Sequence, residues 1–321
     1  MNKFQKLNKK IKENKNISKN FGIKYGYYNF IESIICRNST KTKFDKKIHR
    51  TAYKKYKEYI IKKYRYFINQ YKNIEENTNK IEKNCPIFIF WWQGEKNEPE
   101  IVKACIESVK KHNSNNEIII ITKDNFSNFI TIPKYILDKF YNGIISIANF
   151  SDILRVSLLY KYGGIWFDAT LYTNNKLSNE IFQHTFYTIK HKQFSDFHVC
   201  KGIWMDSFLA SGKNNILMKY MKDFFEEYWK NENALLCYLL IDVFFAIGYE
   251  RIEYIKKEMD KVPANNTKVF EIEQNLNSIN YASILKNNNG TYLFKTNYKH
   301  KYSTEINNKK TLYYQIINNK I

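Results

Sequence analysis

The chain has 321 residues, of which 44% are hydrophobic and 17% aromatic. That much apolar side chain can bury a core, which excludes a disordered tail protein, and 10 Gly with 4 Pro exclude collagen-like and Pro-rich architectures. The net charge of +21 exceeds what solubility requires and points to an anionic partner: a nucleotide, a nucleic acid or a membrane surface. Part of the lysine excess fits the codon bias of an AT-rich genome, because Asn, Ile and Tyr are abundant too.

The charge is concentrated at the start. Residues 1–83 hold 23 Lys and Arg against 7 Asp and Glu, so they carry +16 of the +21. Within them Tyr53, Tyr56, Ile60, Tyr64 and Phe67 recur on one helical face among lysines. Two compatible readings follow. One is a helical hairpin packed on the main domain with a solvated Lys face. The other is a surface resting on anionic lipid, where each nearby Lys contributes about 1 kcal/mol. No recognised nucleic-acid-binding motif occurs, so no nucleic-acid partner is expected. The opening MNKFQKLNKKIKENKN lacks the apolar stretch of a secretory signal. The five cysteines, Cys36, Cys85, Cys105, Cys200 and Cys237, are odd in number and widely spaced, without CxxC, so reduced thiols are expected.

A βα pattern starts at residue 85. Ile87–Trp92 is a continuous apolar run of strand length, with Trp92 at its end and Trp91 inside it. A helix is predicted from Asn97-Glu98-Pro99-Glu100, with Val102, Cys105, Ile106 and Val109 on its apolar face. A second buried strand is predicted over Glu117–Thr122. A βαβ unit with such strands implies a parallel sheet covered on both faces, with ligands beyond the carboxyl ends of the strands. Those ends are Trp92-Gln93-Gly94 and Lys123-Asp124-Asn125.

Residues 149–173 carry the chemistry. Ser151 is the expected N-cap of a helix that Gly163-Gly164 ends, followed by the short strand Ile165–Phe167 and then Asp168. Asp152 and Arg155 lie at i, i+3 on one face, and the Gly-Gly turn can bring Asp168 back toward them. From spacing alone, an ordinary surface ion pair explains Asp152 and Arg155 better. Further along, Ala234–Ile247 is the longest apolar run. It is interrupted by Asp242 and falls short of the about 20 residues of a bilayer crossing, so it is predicted to be a buried helix in a soluble protein. His184, His191 and His198, spaced by seven, match no zinc pattern and are expected to be ordinary histidines.

SDILR followed by YKYGGIWFDAT resembles the donor-binding block of glycosyltransferase family 32 and, more closely, the capsular polysaccharide synthesis proteins related to it. FWWQGEKNEPEIVKACIESVKKHN, FSNFITIPKYIL, WMDSFLASGKNNILMKYMKDFFEEYWKNENALLCYLLIDVFF and YLFKTNYKHK extend the likeness over about residues 85–302. Clostridial glucosylating toxins share a similar donor block.

The resemblance implies an α/β GT-A fold over residues 84–321 behind a basic helical extension at 1–83, a UDP-sugar donor and an anomer-retaining transfer. Trp92 would stack on the base, and Asn125 would lie near base or ribose. Asp152 and Arg155 would hold the sugar hydroxyls, and Asp168 would contact ribose, sugar and metal. The broad family has Asp-x-Asp, whereas here the third position is Thr170. A divalent cation, Mn²⁺ or Mg²⁺, is therefore expected on Asp168 but weakened by Thr170. Lys295 or Lys299 could neutralise diphosphate instead, and Asp206 could line the acceptor side. The expected acceptor is a lipid-linked surface glycan, which puts the protein in the cytoplasm, peripheral to a bacterial inner membrane. A toxin-like transferase acting on protein and an inactive polyanion-binding protein are the alternatives.

Overall fold

A computed structural model describes residues 3–35, 42–74, 79–192, 198–286 and 289–320. The α/β class is observed. Helices α1 (Lys3–Phe21), α2 (Ile23–Ile35), α3 (Lys43–Lys63) and α4 (Arg65–Gln70) come first. Strand β1 (Ile87–Phe90), helix α5 (Glu100–His112) and strand β2 (Ile118–Ile121) form the expected βαβ unit, with β1 and β2 parallel and Ile87 opposite Ile118. Both strands are shorter than the apolar runs suggested, so Trp91 and Trp92 both lie beyond the end of β1.

After the short helices α6 (Phe126–Phe129) and α7 (Lys134–Tyr141) comes α8 (Ile147–Tyr162). Its N-cap is Ser146, whose Oγ accepts from the Asn149 amide, and not Ser151. Every residue of α8 from Asn149 to Leu159 is buried. It is therefore a central helix, and its polar residues face other parts of the protein, as the all-round burial requires. Gly163 and Gly164 stop it at φ of 70° and 100°. A Cβ at Gly163 would come within 2.6 Å of the Lys213 amide nitrogen, and one at Gly164 within 2.4 Å of the Pro86 carbonyl oxygen. Only glycine fits both the dihedral angles and the space.

Strand β3 (Gly164–Asp168) pairs parallel to β1, with Phe90 opposite Asp168. Strands β4 (Leu171–Thr173), β5 (Phe186–Thr188), β6 (Phe208–Ser211) and β7 (Leu293–Lys295) follow. The main sheet has the order β2-β1-β3-β6-β5, and β6 is antiparallel to β3 and β5. The sheet is therefore mixed, not wholly parallel as the first two strands implied. A separate ribbon pairs β4 with β7, with Leu171 opposite Lys295.

Helices α9 (Ile216–Asn231), α10 (Leu240–Arg251) and α11 (Glu253–Lys261) complete this layer. Of the long apolar run, only the part from Leu240 is helical; Ala234–Leu239 is chain leading into α10, buried or half-buried except at the exposed Tyr238. No described helix is long and apolar enough to cross a membrane.

The aromatic face of α3 and α4 is a packing face. Tyr53, Tyr56, Ile60 and Tyr64 are buried, and Phe67 packs on Phe224 and Tyr220 of α9. Glu232, buried at the end of α9, accepts from Lys63 (2.6 Å), Tyr59 (3.1 Å) and Tyr64 (3.0 Å). A buried carboxylate satisfied three times in this way ties the first helices to the body.

Candidate active site

The carboxyl end of β1, the beginning of α8 and the turn after β3 enclose a cavity of about 340 Å³. Sites for small molecules run from about 300 to 1,000 Å³ and sit at such strand ends. Its walls include Trp91, Trp92, Asp152, Arg155, Asp168 and Thr170.

Arg155 is the hub. It is only 3% exposed. Its Nη1 lies 2.9 Å from the Asp206 carboxylate and donates to the Asp206 carbonyl oxygen at 2.7 Å. Its Nη2 lies 3.3 Å from Asp152 and 3.4 Å from Asp168. The guanidinium also stands 5.1 Å from the Trp166 ring centre, a cation–π contact. So the pair that spacing made look like a surface i, i+3 bridge is a buried centre with three carboxylates around one planar cation. The β3–β6 pairing supplies the third, Asp206, from a segment far away in sequence; the Asp168 amide donates to the Ser207 carbonyl beside it.

Asp152 and Asp168 are not equivalent. Burial pushes Asp152 well above the usual carboxylate range; Arg155 opposes this, and Asp206 and Asp168 add to it. Burial also pushes Asp168 upward, but Lys295 and Arg155 outweigh it and hold the group well below the ordinary value. Asp168 is therefore the lasting negative charge on the cavity wall. Asp152 is more readily protonated than Asp168.

Asp168 is also held on both oxygens. Oδ1 accepts from Trp166 Nε1 at 3.0 Å, and Oδ2 from Lys295 Nζ at 2.7 Å. The same ammonium donates to Thr170 Oγ1 at 2.8 Å. This is where the expected divalent cation meets a different arrangement. One carboxylate and one hydroxyl are the motif's oxygens, and an ammonium already bridges them. A hard cation takes six or more oxygen ligands, and no group of three or more acidic, His or Cys side chains suited to a metal occurs among the described residues. The donor set around Asp168 does not fit a resident metal.

The other expected site residues divide. Trp92 reaches the cavity but also packs against Phe126, Phe140 and Phe150, with its ring centre 5.0 Å from Phe140. Trp91 also lines the cavity, edge-on to Tyr298 at 5.3 Å. Asn125 does not line the cavity. Its Oδ1 accepts from the Thr122 amide and its Nδ2 donates to the Ile120 carbonyl, each at 2.8 Å, closing the turn after β2. Lys295 and Lys299 are both outside the lining; Lys295 touches it through Asp168 and Thr170, whereas Lys299 lies 5.7 Å from the Tyr298 ring centre. Tyr238 and Tyr298 line the cavity without having been singled out in the sequence. Nothing local marks them, because each is one tyrosine among 26.

The chain matches the capsular polysaccharide synthesis proteins over residues 36–316, nearly its whole length. It belongs to that family. As a member it is a protein of capsular polysaccharide synthesis. The matched span begins inside the basic N-terminal segment and takes in α3 and α4. Among solved structures, a chain described as PaToxG glycosyltransferase is similar at 18% identity and a TM-score of 0.39, over 69% of this chain and 90% of that one. The apo structure of the bifunctional glycosyltransferase WbbM is similar at 12% identity and a TM-score of 0.39, over 77% of this chain and 50% of that one. Among curated proteins, nothing matches.

Proposed function

We propose that this family member is a GT-A enzyme that takes a sugar from a UDP-linked donor and transfers it, with retention, to a lipid-linked surface glycan. The observation that carries the reading is the buried Arg155 with Asp152, Asp168 and Asp206 around it at the floor of a cavity beyond the strand ends. Sugar hydroxyls need fixed acceptors and donors at such a point, and preorganised charge needs no reorientation during reaction. In this reading Trp92 stacks on the base. Asp152 and Arg155 position the sugar, and Asp168 orients the ribose and sugar.

In the transfer, the bond from the anomeric carbon to the diphosphate oxygen breaks, and a bond to the acceptor oxygen forms on the same face. The acceptor hydroxyl proton passes to the departing diphosphate oxygen. No protein nucleophile is needed, so the side chains position the reactants and balance charge. A second cavity, of about 150 Å³, shares Asp206 and Leu239 with the first and is lined also by Trp204 and Asp242. Aromatic and carboxylate groups together suit an acceptor sugar, which supports an acceptor-side role for Asp206.

A membrane position is part of the same proposal: the inner membrane's cytoplasmic face, with residues 1–83 on anionic lipid. Ile23, Tyr27 and Ile34 fall on one face of α2 and are exposed, Ile23 by 83%. Phe44, at the start of α3, is 70% exposed. Exposed apolar side chains next to the lysine-rich helices α1 and α3 are what an interfacial surface presents. A screen of nucleotide sugars with and without extracted lipid-linked glycan, read by proton NMR of the product's anomeric signal, tests the reaction. Transfer from a UDP-sugar with the donor's anomeric configuration kept is expected. Inverted product, or turnover with no nucleotide sugar, would overturn it.

A further inference from the structure

Lys295 is 127 residues from Asp168 in sequence, yet its ammonium closes the Asp168-Ala169-Thr170 turn. The pairing of β4 with β7 puts it there, with Leu171 opposite Lys295. Thr296 locks the register: its amide and its hydroxyl both donate to the Thr170 carbonyl, at 2.8 and 2.9 Å. The lysine is therefore carried on a strand hydrogen-bonded to the motif itself.

We propose that Lys295 is the cation that binds the donor diphosphate, in the place where a divalent metal would otherwise serve. The assignment rests on the nucleotide-sugar reading given above. An ammonium has three N–H donors. Lys295 is not itself a lining residue but stands directly behind the lining residues Asp168 and Thr170, which take two of these donors and leave one for a phosphate oxygen beside them. A metal at the same point would have to compete with this ammonium for Asp168 Oδ2 and Thr170 Oγ1, while Asp168 Oδ1 is already engaged by Trp166 and Arg155. Thr170 then has a physical role. A neutral hydroxyl suits a lysine neighbour, whereas a second carboxylate would hold the ammonium more tightly and oppose the incoming diphosphate by like charge. Lys299, the other lysine of this block, stands over Tyr298 and does not reach the motif.

Calorimetry on the full chain decides the matter. UDP, GDP, CDP and ADP are each titrated in EDTA and in Mn²⁺, together with the matching nucleosides. One diphosphate is expected to bind with the same affinity in EDTA as in Mn²⁺. Lys295→Ala is expected to weaken that diphosphate by about 10- to 100-fold, as loss of a charge-assisted hydrogen bond does, and to leave nucleoside binding unchanged. Lys295→Arg is expected to keep binding in EDTA. Diphosphate binding that EDTA abolishes and Mn²⁺ restores in the unaltered chain would overturn the assignment while sparing the donor reading. Equal loss of nucleoside and diphosphate in Lys295→Ala would reduce Lys295 to a structural ion pair. If none of the four diphosphates bound the unaltered chain, the donor reading itself would fall, and the assignment with it.

Discussion

At the scale of single residues, the cavity is organised by what Arg155 can do and a lysine cannot. Its two terminal nitrogens reach three carboxyls and a carbonyl at once, and a point charge cannot reproduce that fork. Arg155→Lys is therefore expected to lose nearly all turnover and to lower the melting temperature, because breaking a buried ion cluster costs about 3–5 kcal/mol. A variant melting like the original would show that the cluster is not held in the folded ground state. Asp168→Asn keeps the shape and removes the charge that Lys295 and Arg155 face. Turnover should fall by about 10²–10³, the usual loss of a preorganised electrostatic partner, and the melting temperature at neutral pH should fall too, because the carboxylate that Lys295 and Arg155 hold ionised stabilises the folded state. Wild-type turnover in that variant would remove Asp168 from the reaction. Trp92→Ala should weaken nucleoside diphosphate binding by about 1–3 kcal/mol, the range for base stacking, while Trp92→Phe keeps the packing on Phe140 and Phe150 and much of the affinity. Unchanged affinity in Trp92→Ala would shift the base to Trp91, which the structure also puts on the cavity wall.

At the scale of elements, α10 contributes a pH-dependent term. Asp242 in its first turn is buried and accepts from Trp204 Nε1 at 2.7 Å. Burial pushes its carboxyl up to about 7; Asp206 adds to the rise, and the Trp204 hydrogen bond and Arg155 oppose it. The ordinary unfolded value is about 3.9. The folded state therefore holds this proton more firmly than the unfolded state does. Its contribution is full below about pH 4, declines as pH rises toward 7 and is constant above that. Asp242→Asn keeps an acceptor for Trp204 and removes the titration. The variant's melting temperature should gain on the original between pH 5 and 8; parallel curves would mean that Asp242 ionises normally. Recognition of α8 and β3 as helix and strand was possible from Gly163-Gly164 and the apolar residues around them. The helix start was misplaced, because Ser146 and Ser151 are both good caps locally and only the packing of Asn149 and Phe150 into the interior selects the earlier one.

At the scale of the whole molecule, residues 1–83 carry +16, and the helices among them pack on the body through α3 and α4 while α2 exposes Ile23, Tyr27 and Ile34. If that outer face meets anionic lipid, the full chain should co-sediment with anionic vesicles and be released at 1 M salt, where screening shortens to about 3 Å. Replacing Ile23, Tyr27 and Ile34 together with serine should weaken binding without lowering the melting temperature, since these side chains are exposed. Salt-insensitive binding, or none, would leave the segment a structural one. Substitution is a cleaner probe than deleting residues 1–83, which would uncover Phe224 and Tyr220 where Phe67 and Tyr64 now pack.

Period and punctuation in the sequence determined the elements that fold on local terms: the βαβ unit, the helix stopped by two glycines, and the aromatic face of α3. They also put Asp152, Arg155 and Asp168 within one short stretch, because a helix, a tight turn and a strand can be traced without knowing the rest of the chain. Tertiary structure alone decided what those three residues face. Asp206 arrives through β6, Lys295 through the β4–β7 ribbon, and Tyr238 through the chain leading into α10. Each comes from more than 35 residues beyond Asp168, and strand pairing over such distances leaves no local period to detect. The same holds for the two lysines near the end. Lys295 and Lys299 are four residues apart in similar surroundings, and only the register opposite Leu171 separates the one on the motif from the one beside Tyr298.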